Sequence, residues 1–315
     1  MRTQKLTFLL LICVIAFSAD VDKGFAAQTA GPKYTAADLV YRAFNRVSKN
    51  YPRSNNQMNA FYKEQVVKNN SIVSVNEAML NIGKSPYLTT QKDIVSIKKI
   101  RGNRNIHDND LLMIKLQGGP ITALQLDVVK NPFLGGEIFN MSDLYDFEYE
   151  EAAEINQKSF YVVRFKEKAG SSEMLFRGKI YIETESLAIG KVEFSMNVEN
   201  REYAYERFLK HAPKQCEISM ISATYSVNYK EYGNLWYFDY SSSDVSFILN
   251  HRENSPQFYT VCSEMAITNL LAEGLTIDKK DQLKATDILS DKINDVKMAS
   301  DWDIYNKILL LAAKY

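Results

Sequence analysis

The sequence predicts an α+β fold built on one large, curled antiparallel β-sheet, a half-open barrel of about eleven strands. Hydrophobic residues recur with a helical period only before Pro52, and beyond it most of the chain alternates apolar and polar residues with a period of two. Short turns join nearly all strand candidates, and neither strand–helix alternation nor a fixed-period repeat is present. We therefore expect one sheet with an N-terminal helix, a short middle helix and a helical C-terminal tail.

The N-terminus has the pattern of a secretory signal peptide. A positively charged start precedes an unbroken apolar run, Leu6–Phe17, which is too short to be a permanent membrane span. Small residues follow, and cleavage after Ser18 or after Ala26 fits them. Two alternatives are a leader that stays attached as a helix and a lipoprotein cysteine at Cys13. We expect export, to the periplasm or to a position associated with the outer membrane.

The chain divides into a leader, residues 1–27, a sheet domain with helices, residues 28–275, and a helical tail, residues 276–315. Beyond the leader the only cysteines are Cys216 and Cys262, both in strand-like segments. Export makes a disulfide feasible. The two cysteines therefore predict either a pair of small buried side chains or one disulfide.

Two helices are predicted from the hydrophobic spacing. The first covers Thr35–Lys49, where a capping-box start leads into apolar residues at helical spacing. Pro52 lies just past its end, since the residue before a proline is driven out of the helical region. The second covers Pro120–Lys130, because proline suits the first turn of a helix.

The first strands are predicted on either side of a turn. Met58–Lys68 and Ile72–Gly83 flank Asn69–Ser71, a composition that predicts a β-hairpin. Asp93–Arg101 and Leu111–Gln117 are two further strand candidates, separated by a polar loop.

The clearest alternation lies in the middle of the chain, over Met174–Ile182 and again over Ala188–Met196 after a polar turn. Such strands bury one face and leave the other in water, which fixes their register. Ile221–Tyr229 alternates in the same way. In Leu235–Leu249 the apolar parity shifts, and the shift predicts a β-bulge or a bend within Ser241–Asp244. One more strand follows near the end of the sheet domain.

The sequence contains no catalytic, cofactor-binding or metal-binding motif. His107, His211 and His251 are isolated, and no zinc spacing, GxSxG turn or phosphate-binding glycine loop is present. We therefore predict no enzyme, no cofactor and no metal. Acidic residues cluster in Asp143–Glu154 and His107–Asp110, where the carboxylate pair of a hydrolase could converge. A solvated strand edge or loop is the simpler interpretation.

Charge and aromatic content indicate the kind of partner. Acidic and basic side chains number 38 each, without a block of like charges, so nucleic acid is not expected. The chain has 19 Tyr and 16 Phe, many of them on the later strands. We predict that Trp236, Phe238 and Tyr240 line a cavity that an apolar ligand fills. Cross-strand packing within the core is the alternative.

The hairpin Phe176–Phe194 is similar to a hairpin of exported envelope proteins with the pattern G-x-(I/L)-Y-I-D. It resembles most closely the region after the regulatory domain of carboxypeptidase-like regulatory domain-containing proteins. More distantly it resembles the lipoprotein-carrier (Lol-type) proteins, which implies a half-open antiparallel barrel, lidded by helices, that holds acyl chains. The segments that carry the first resemblance are Asn59–Glu64, Asn76–Ala78, Gln117–Leu124, Asp127–Pro132, Phe176–Phe194, Tyr225–Tyr229 and Trp302–Asn306.

Three features together predict a non-catalytic protein of the cell envelope: the leader pattern, the strands with one apolar face, and the resemblance of the hairpin. We expect it to bind an apolar or lipidated ligand, or an outer-membrane or other envelope protein. A structural or assembly protein with a filled core is one alternative. A hydrolase that uses converging carboxylates is the other. An apolar cavity of roughly a few hundred cubic ångströms would favour the binding role over the filled core.

Overall fold

The computed structural model of the chain describes residues 33–104, 119–132, 141–169, 175–198, 205, 216–251, 255–271, 277–293 and 307–308. Every element below belongs to one compact unit that begins at Ala36. The predicted leader and the predicted strand Leu111–Gln117 lie outside the described residues, as do His107 and His211.

The helices are short and few. The N-terminal helix is confirmed, although Arg46 divides it into α1, Ala36–Asn45, and α2, Val47–Asn50. The middle helix α3 covers Gly119–Gln125 and is followed by turns, and α4 covers Met141–Leu144. In the described part of the C-terminal tail, the helical content is limited to two single-turn 3-10 helices and the pair 307–308.

The sheet has ten strands among the described residues, against about eleven predicted. They are β1 Asn56–Lys68, β2 Ser71–Lys84, β3 Ile94–Arg104, β4 Tyr145–Ile155, β5 Lys158–Glu167, β6 Phe176–Glu183, β7 Ile189–Met196, β8 Cys216–Tyr232, β9 Leu235–His251 and β10 Gln257–Leu271.

The strand order is β3-β2-β1-β10-β9-β8-β7-β6-β5-β4, and neighbouring strands pair antiparallel. Two meanders, β1 to β3 and β4 to β10, therefore join where the first strand pairs with the last. The sheet is open, with β3 and β4 at its edges, so the predicted α+β class with one large antiparallel sheet is confirmed. The acidic segment Asp143–Glu154 forms most of the edge strand β4, as its interpretation as a solvated strand edge predicts.

One face of the sheet carries most of the core, and we call it the helix face. Tyr62, Met265, Ser241 and Val227 form one row on it across four neighbouring strands, because each is the partner of the next. All four side chains are buried. The hydroxyl of Ser241 donates to the carbonyl of Ala123, 3.0 Å away, so α3 lies against this face.

A bulge in β9 lies at Asp239, and the predicted position within Ser241–Asp244 was wrong. Asn228 pairs with Tyr240 and Tyr229 pairs with Phe238, which leaves Asp239 as the extra residue. The bulge exchanges the two faces, so Phe238 lies on the helix face and Tyr240 on the opposite one. The parity pattern missed it because Tyr240 is apolar enough to be buried on either face.

No disulfide joins Cys216 and Cys262, and both are thiols. Both are only partly buried, and desolvation together with the neighbouring Asp244 carboxylate raises the pKa of the Cys262 thiol to about 12. A thiol held in this neutral form is a poor nucleophile.

The close approach of strands β6 and β7 at Gly178 gives a first prediction. A Cβ atom at Gly178 would lie 1.9 Å from the carbonyl oxygen of Glu193, so a side chain forces the backbones apart. We expect Gly178→Ala to lower the free energy of unfolding by about 1–3 kcal/mol. Urea denaturation followed by circular dichroism measures the change.

Gly233→Asn is the matched control. Gly233 has a φ of +57°, a value that asparagine tolerates, and its Cβ position has no atom within 4 Å. A loss of stability as large in Gly233→Asn as in Gly178→Ala would contradict the strand contact as the cause.

Candidate functional site

A cleft of about 680 Å³ lies at one end of the helix face. Three parts of the chain form it: the loop before β3 with the start of that strand, α3 with its following turn, and the C-terminal segment. Its lining residues are Thr89, Thr90, Gln91, Lys92, Asp93, Ile94, Ile121, Leu124, Gln125, Lys130, Asn131, Gln282, Leu283, Lys284 and Ala285.

Backbone contacts hold the C-terminal segment in place along the edge strand β3. Gln282 forms a β-bridge with Ser96, and the amide of Leu283 donates to the carbonyl of Val95 at 2.8 Å. Leu289, further along, is buried. The segment therefore covers the edge of the sheet and forms one wall of the cleft.

The lining is divided between an apolar wall and a polar, cationic part. Ile94, Ile121, Leu124 and Leu283 supply aliphatic surface from all three walls. Three lysines line the cleft, with a single acidic residue among them, Asp93. A cleft with this composition suits a molecule that has both an apolar and a polar end.

Two lining residues, Asp93 and Lys130, form a cluster of four charges with Lys84 and Asp127, which are fully buried and do not line the cleft themselves. We call this cluster the floor of the cleft. The Lys84 ammonium, fully buried at the end of β2, lies 2.7 Å from Asp93 Oδ2 and 2.8 Å from Asp127 Oδ2. The ammonium of Lys130 lies 2.5 Å from Asp93 Oδ1. Two cations and two anions therefore balance in the interior, which is the condition for burying charge at an acceptable cost.

The pKa values follow from these contacts. Burial alone would lower the pKa of Lys84, but Asp127 and Asp93 outweigh it and raise that pKa above its usual value. Burial would raise the pKa of Asp93, but Lys84 and Lys130 outweigh it and lower that pKa. Burial, helped by repulsion from Lys84, lowers the pKa of Lys130. These shifts favour the charged forms of Lys84 and Asp93 and the neutral form of Lys130.

Asp93 also fixes the loop at the mouth of the cleft. The amide and the hydroxyl of Ser85 both donate to Asp93 Oδ1, at 2.9 Å each. The same hydroxyl bonds the carbonyl of Gln91 at 2.6 Å, and Lys130 donates to Ser85. The loop from Ser85 to Asp93 is therefore closed on itself and attached to the turn after α3.

Aromatic side chains surround the buried ammonium. The rings of Tyr87 and Phe238 lie 5.1 Å and 5.7 Å from Lys84 Nζ, within cation–π range. The Tyr229 hydroxyl donates to Asp127 Oδ1 at 2.8 Å and accepts from the amide of Val129 at 3.1 Å. These contacts provide a hydrogen bond for Asp127 Oδ1 and link the floor of the cleft to β8 and β9. Asp127 Oδ2 has the ion pair with Lys84 but no hydrogen bond.

The predicted ligand-lining residues do not converge on this cleft. Trp236 lines a second cavity of about 310 Å³ with Asp239, Phe160 and Gly190. Phe238 lies beneath Lys84, and Tyr240 lies on the opposite face, where its hydroxyl donates to Glu264 at 2.8 Å. Contact of these three residues with a ligand stays a prediction.

Sequence reasoning missed the residues that build the cleft. Lys84 continues the buried row of Leu80 and Ile82 on β2, and a lysine in an inward position was the available indication. Asp127 and Lys130 lie three residues apart, in a segment noted for its resemblance and predicted as the end of the middle helix, whereas the helix ends at Gln125. Their convergence with Lys84 depends on contacts that no local pattern encodes.

The acidic clusters and the isolated histidines of the sequence analysis were compared with their positions in the structure. On β4 the carboxylates of Glu148 and Glu150 pair with Arg164, and Glu150 also pairs with Lys179 at 2.5 Å. His251 ends β9, while the segment His107–Asp110 lies outside the described residues. No group of three or more His, Cys, Asp or Glu side chains in the described ranges could hold a metal ion.

The two charged residues shared by the cleft lining and the floor, Asp93 and Lys130, are held by partners. Asp93 accepts hydrogen bonds or ion pairs at both oxygens, and the lowered pKa makes it a weak base. The Lys130 ammonium is held by Asp93 and Ser85. Among the described residues, no helix is long and apolar enough to span a bilayer.

No family model and no curated protein matches the chain. The comparison with solved structures finds distant similarities only. A domain assigned to an outer membrane lipoprotein-sorting protein of Vibrio parahaemolyticus is 12% identical over 78% of this chain and 95% of its own, with a TM-score of 0.29. A DUF1329 family protein from Desulfovibrio piger is 9% identical over 77% and 96%, with a TM-score of 0.30. The MucA/MucB complex structure from Pseudomonas aeruginosa matches at 11% identity over 72% and 93%, with a TM-score of 0.23.

Similarities with TM-scores this low carry no argument about function. A lipoprotein-sorting domain is among them. The resemblance to carboxypeptidase-like regulatory domain-containing proteins has no support in these comparisons and stays an expectation.

The charge cluster predicts an asymmetric response to mutation. Lys84→Met removes the ammonium and leaves Asp127 buried beside no cation of its own, so we expect a loss of about 3–5 kcal/mol in the free energy of unfolding. Lys84→Met/Asp127→Asn removes both charges and keeps an acceptor for Tyr229, and should recover at least about half of that loss. Urea denaturation measures both, with Lys166→Met on the surface as control. A double variant as unstable as the single one would contradict the electrostatic account.

Asp239 predicts a pH dependence of stability. Desolvation, opposed in part by Lys230, raises its pKa from 3.8 to about 6. The folded state therefore binds the proton more tightly than the unfolded state, and the stability this provides is lost as the pH rises from 4 through 6. Asp239→Asn keeps the group neutral and should be more stable than the parent chain at pH 8, by up to about 3 kcal/mol, and equal to it near pH 4.

Denaturation across that pH range measures the difference. Asp146→Asn, at an exposed position on β4, is the control and should show no such trend. An Asp239→Asn chain that is equally stable to the parent at pH 8 would contradict the assignment.

Proposed function

We propose that this chain is a non-catalytic binding protein of the cell envelope that holds an apolar or lipidated ligand in the 680 Å³ cleft. The single observation that carries the proposal is a cleft of ligand-binding size whose aliphatic wall comes from three separate parts of the chain. The leader pattern supports export, and the absence of a proton-transfer arrangement at the cleft supports binding without chemistry.

The rigidity of the cleft supports the proposal further. Its floor is tied by ion pairs and its loop wall is closed by Asp93, so the walls are held in place before a ligand arrives. Preformed walls reduce the entropy lost on binding. The wall formed by the C-terminal segment is attached to β3 by backbone contacts rather than by packing alone.

A scaffold protein with a filled core is the competing proposal. The buried side chains of the interior are the observation that favours it. Beneath the sheet the interior is closely packed, with Leu80, Ile180 and Phe238 fully buried. The 680 Å³ cleft is lined by α3 with its following turn, the loop before β3 with the start of that strand, and the C-terminal segment, and not by the central strands of the sheet. The other possible ligand is an envelope protein that inserts apolar side chains into the same cleft.

Removing one aliphatic side chain from the wall tests the proposal. Ile121 is half-buried on α3 and lines the cleft, so Ile121→Asn removes apolar surface at little risk to the fold. We expect about 10-fold weaker binding of a fluorescent dansyl-labelled fatty acid, since a buried aliphatic side chain contributes about 1.5 kcal/mol. Ile221→Asn, at a position 49% exposed on β8, is the matched control and should bind as the parent does.

Mass spectrometry of small molecules extracted after gentle purification provides the second measurement. The parent chain should release acyl-chain compounds that Ile121→Asn retains in smaller amount. No probe binding by the folded parent chain, together with no extracted apolar compound, would contradict the proposed function.

A further inference from the structure

We infer that the ligand of the cleft carries an anionic end, a carboxylate or a phosphate, which Lys92 and Lys284 bind at the mouth while its acyl chain lies along the aliphatic wall. This inference rests on the proposed function, because it assigns the chemical class of the ligand at the same site. Four steps lead to it.

The first step is the charge of the lining. Of the charged residues that line the cleft, Lys92, Lys130 and Lys284 are cations and Asp93 is an anion. Asp93 is already neutralised by Lys84 and Lys130 within 2.7 Å. The positive charge that is left therefore belongs to Lys92 and Lys284.

The second step is the availability of these two lysines. Both are exposed, and neither forms an ion pair with any residue in the described ranges of the chain. Asp287 lies near Lys284, but it accepts the backbone amide of Lys284 at 3.1 Å and pairs with the ammonium of Lys292 at 3.0 Å. The pKa of Asp287 is lowered, against desolvation, by the Lys284 amide and by the charges of Lys292 and Lys284. The Lys284 ammonium nevertheless forms no ion pair with Asp287 and can approach a ligand.

The third step is the set of neutral donors near the mouth. Thr90 contributes a hydroxyl group and Gln125 an amide group to the same lining. The Thr89 hydroxyl already donates to the carbonyl of Pro86 at 2.9 Å, and the Gln282 amide, which donates to the carbonyl of Ile277 at 3.4 Å, keeps a second N–H. An oxyanion accepts several hydrogen bonds at once, and donors next to cations make such bonds stronger. A neutral head group would leave the two ammonium groups without a partner.

The fourth step separates an amphiphile from a small inorganic anion. Ile94, Ile121, Leu124 and Leu283 form an aliphatic surface in the same cleft, and a hydrated ion gains nothing from it. A molecule with an acyl chain and an anionic end matches both halves of the lining. Fatty acids and acidic phospholipids share this chemistry.

Calorimetric titration of the full chain tests the inference. The ligands are decanoate, decanol, and dihexanoyl phosphatidic acid, each at low and at high salt. We expect decanoate to bind about 10-fold more tightly than decanol at low salt, because two exposed lysines contribute modestly and are screened by ions. The preference should shrink at high salt. Whether the phosphatidic acid or decanoate binds more tightly identifies the source of the anion.

Paired variants locate the preference. Lys92→Gln/Lys284→Gln should bind decanoate and decanol equally, with decanol binding as in the parent. Lys49→Gln/Lys166→Gln, at two exposed positions outside the cleft lining, should keep the preference. Equal binding of acid and alcohol by the parent, or a preference that survives in Lys92→Gln/Lys284→Gln, overturns the inference and leaves the proposed function standing. Binding of none of the ligands by the folded parent overturns both.

Discussion

The ammonium group of Lys84 lies in the interior between two carboxylates that come from different parts of the chain, Asp93 from the loop before β3 and Asp127 from the turn after α3. Burying such a cation costs several kcal/mol, and only a complete set of well-placed anions offsets that cost. The loop and the turn are therefore fixed relative to the end of β2. Once they are fixed, the space between them has a defined shape, and that space is the cleft.

The same arrangement determines the net charge of the cleft lining. Since the floor is electrically balanced, the lysines at the mouth keep a net positive charge that the interior does not cancel. The aliphatic residues of α3, β3 and the C-terminal segment line the same cleft. The proposed binding of an amphiphile rests on these three features: an apolar wall, a cationic mouth and a rigid floor.

Much of the fold could be predicted from the sequence because alternation with a period of two is a local property. The hairpin around Asn69 and Asn70, whose φ angles of +46° and +67° suit a tight turn, follows from composition alone. The bulge at Asp239 was misplaced because Tyr240 can be buried on either face. The cleft could not be predicted, since it depends on contacts between distant residues, such as the bond from Tyr229 to Asp127 across 102 positions.

The location of a bound ligand tests the central claim most directly. A fatty acid that carries a photoreactive diazirine near the end of its acyl chain can be cross-linked to the purified chain, and the adducts mapped by peptide mass spectrometry. The account predicts adducts on the loop around residues 89–94, on α3 and on residues 282–285. Adducts concentrated around Trp236, or on the exposed side chains of Ile72 and Phe258, would contradict it.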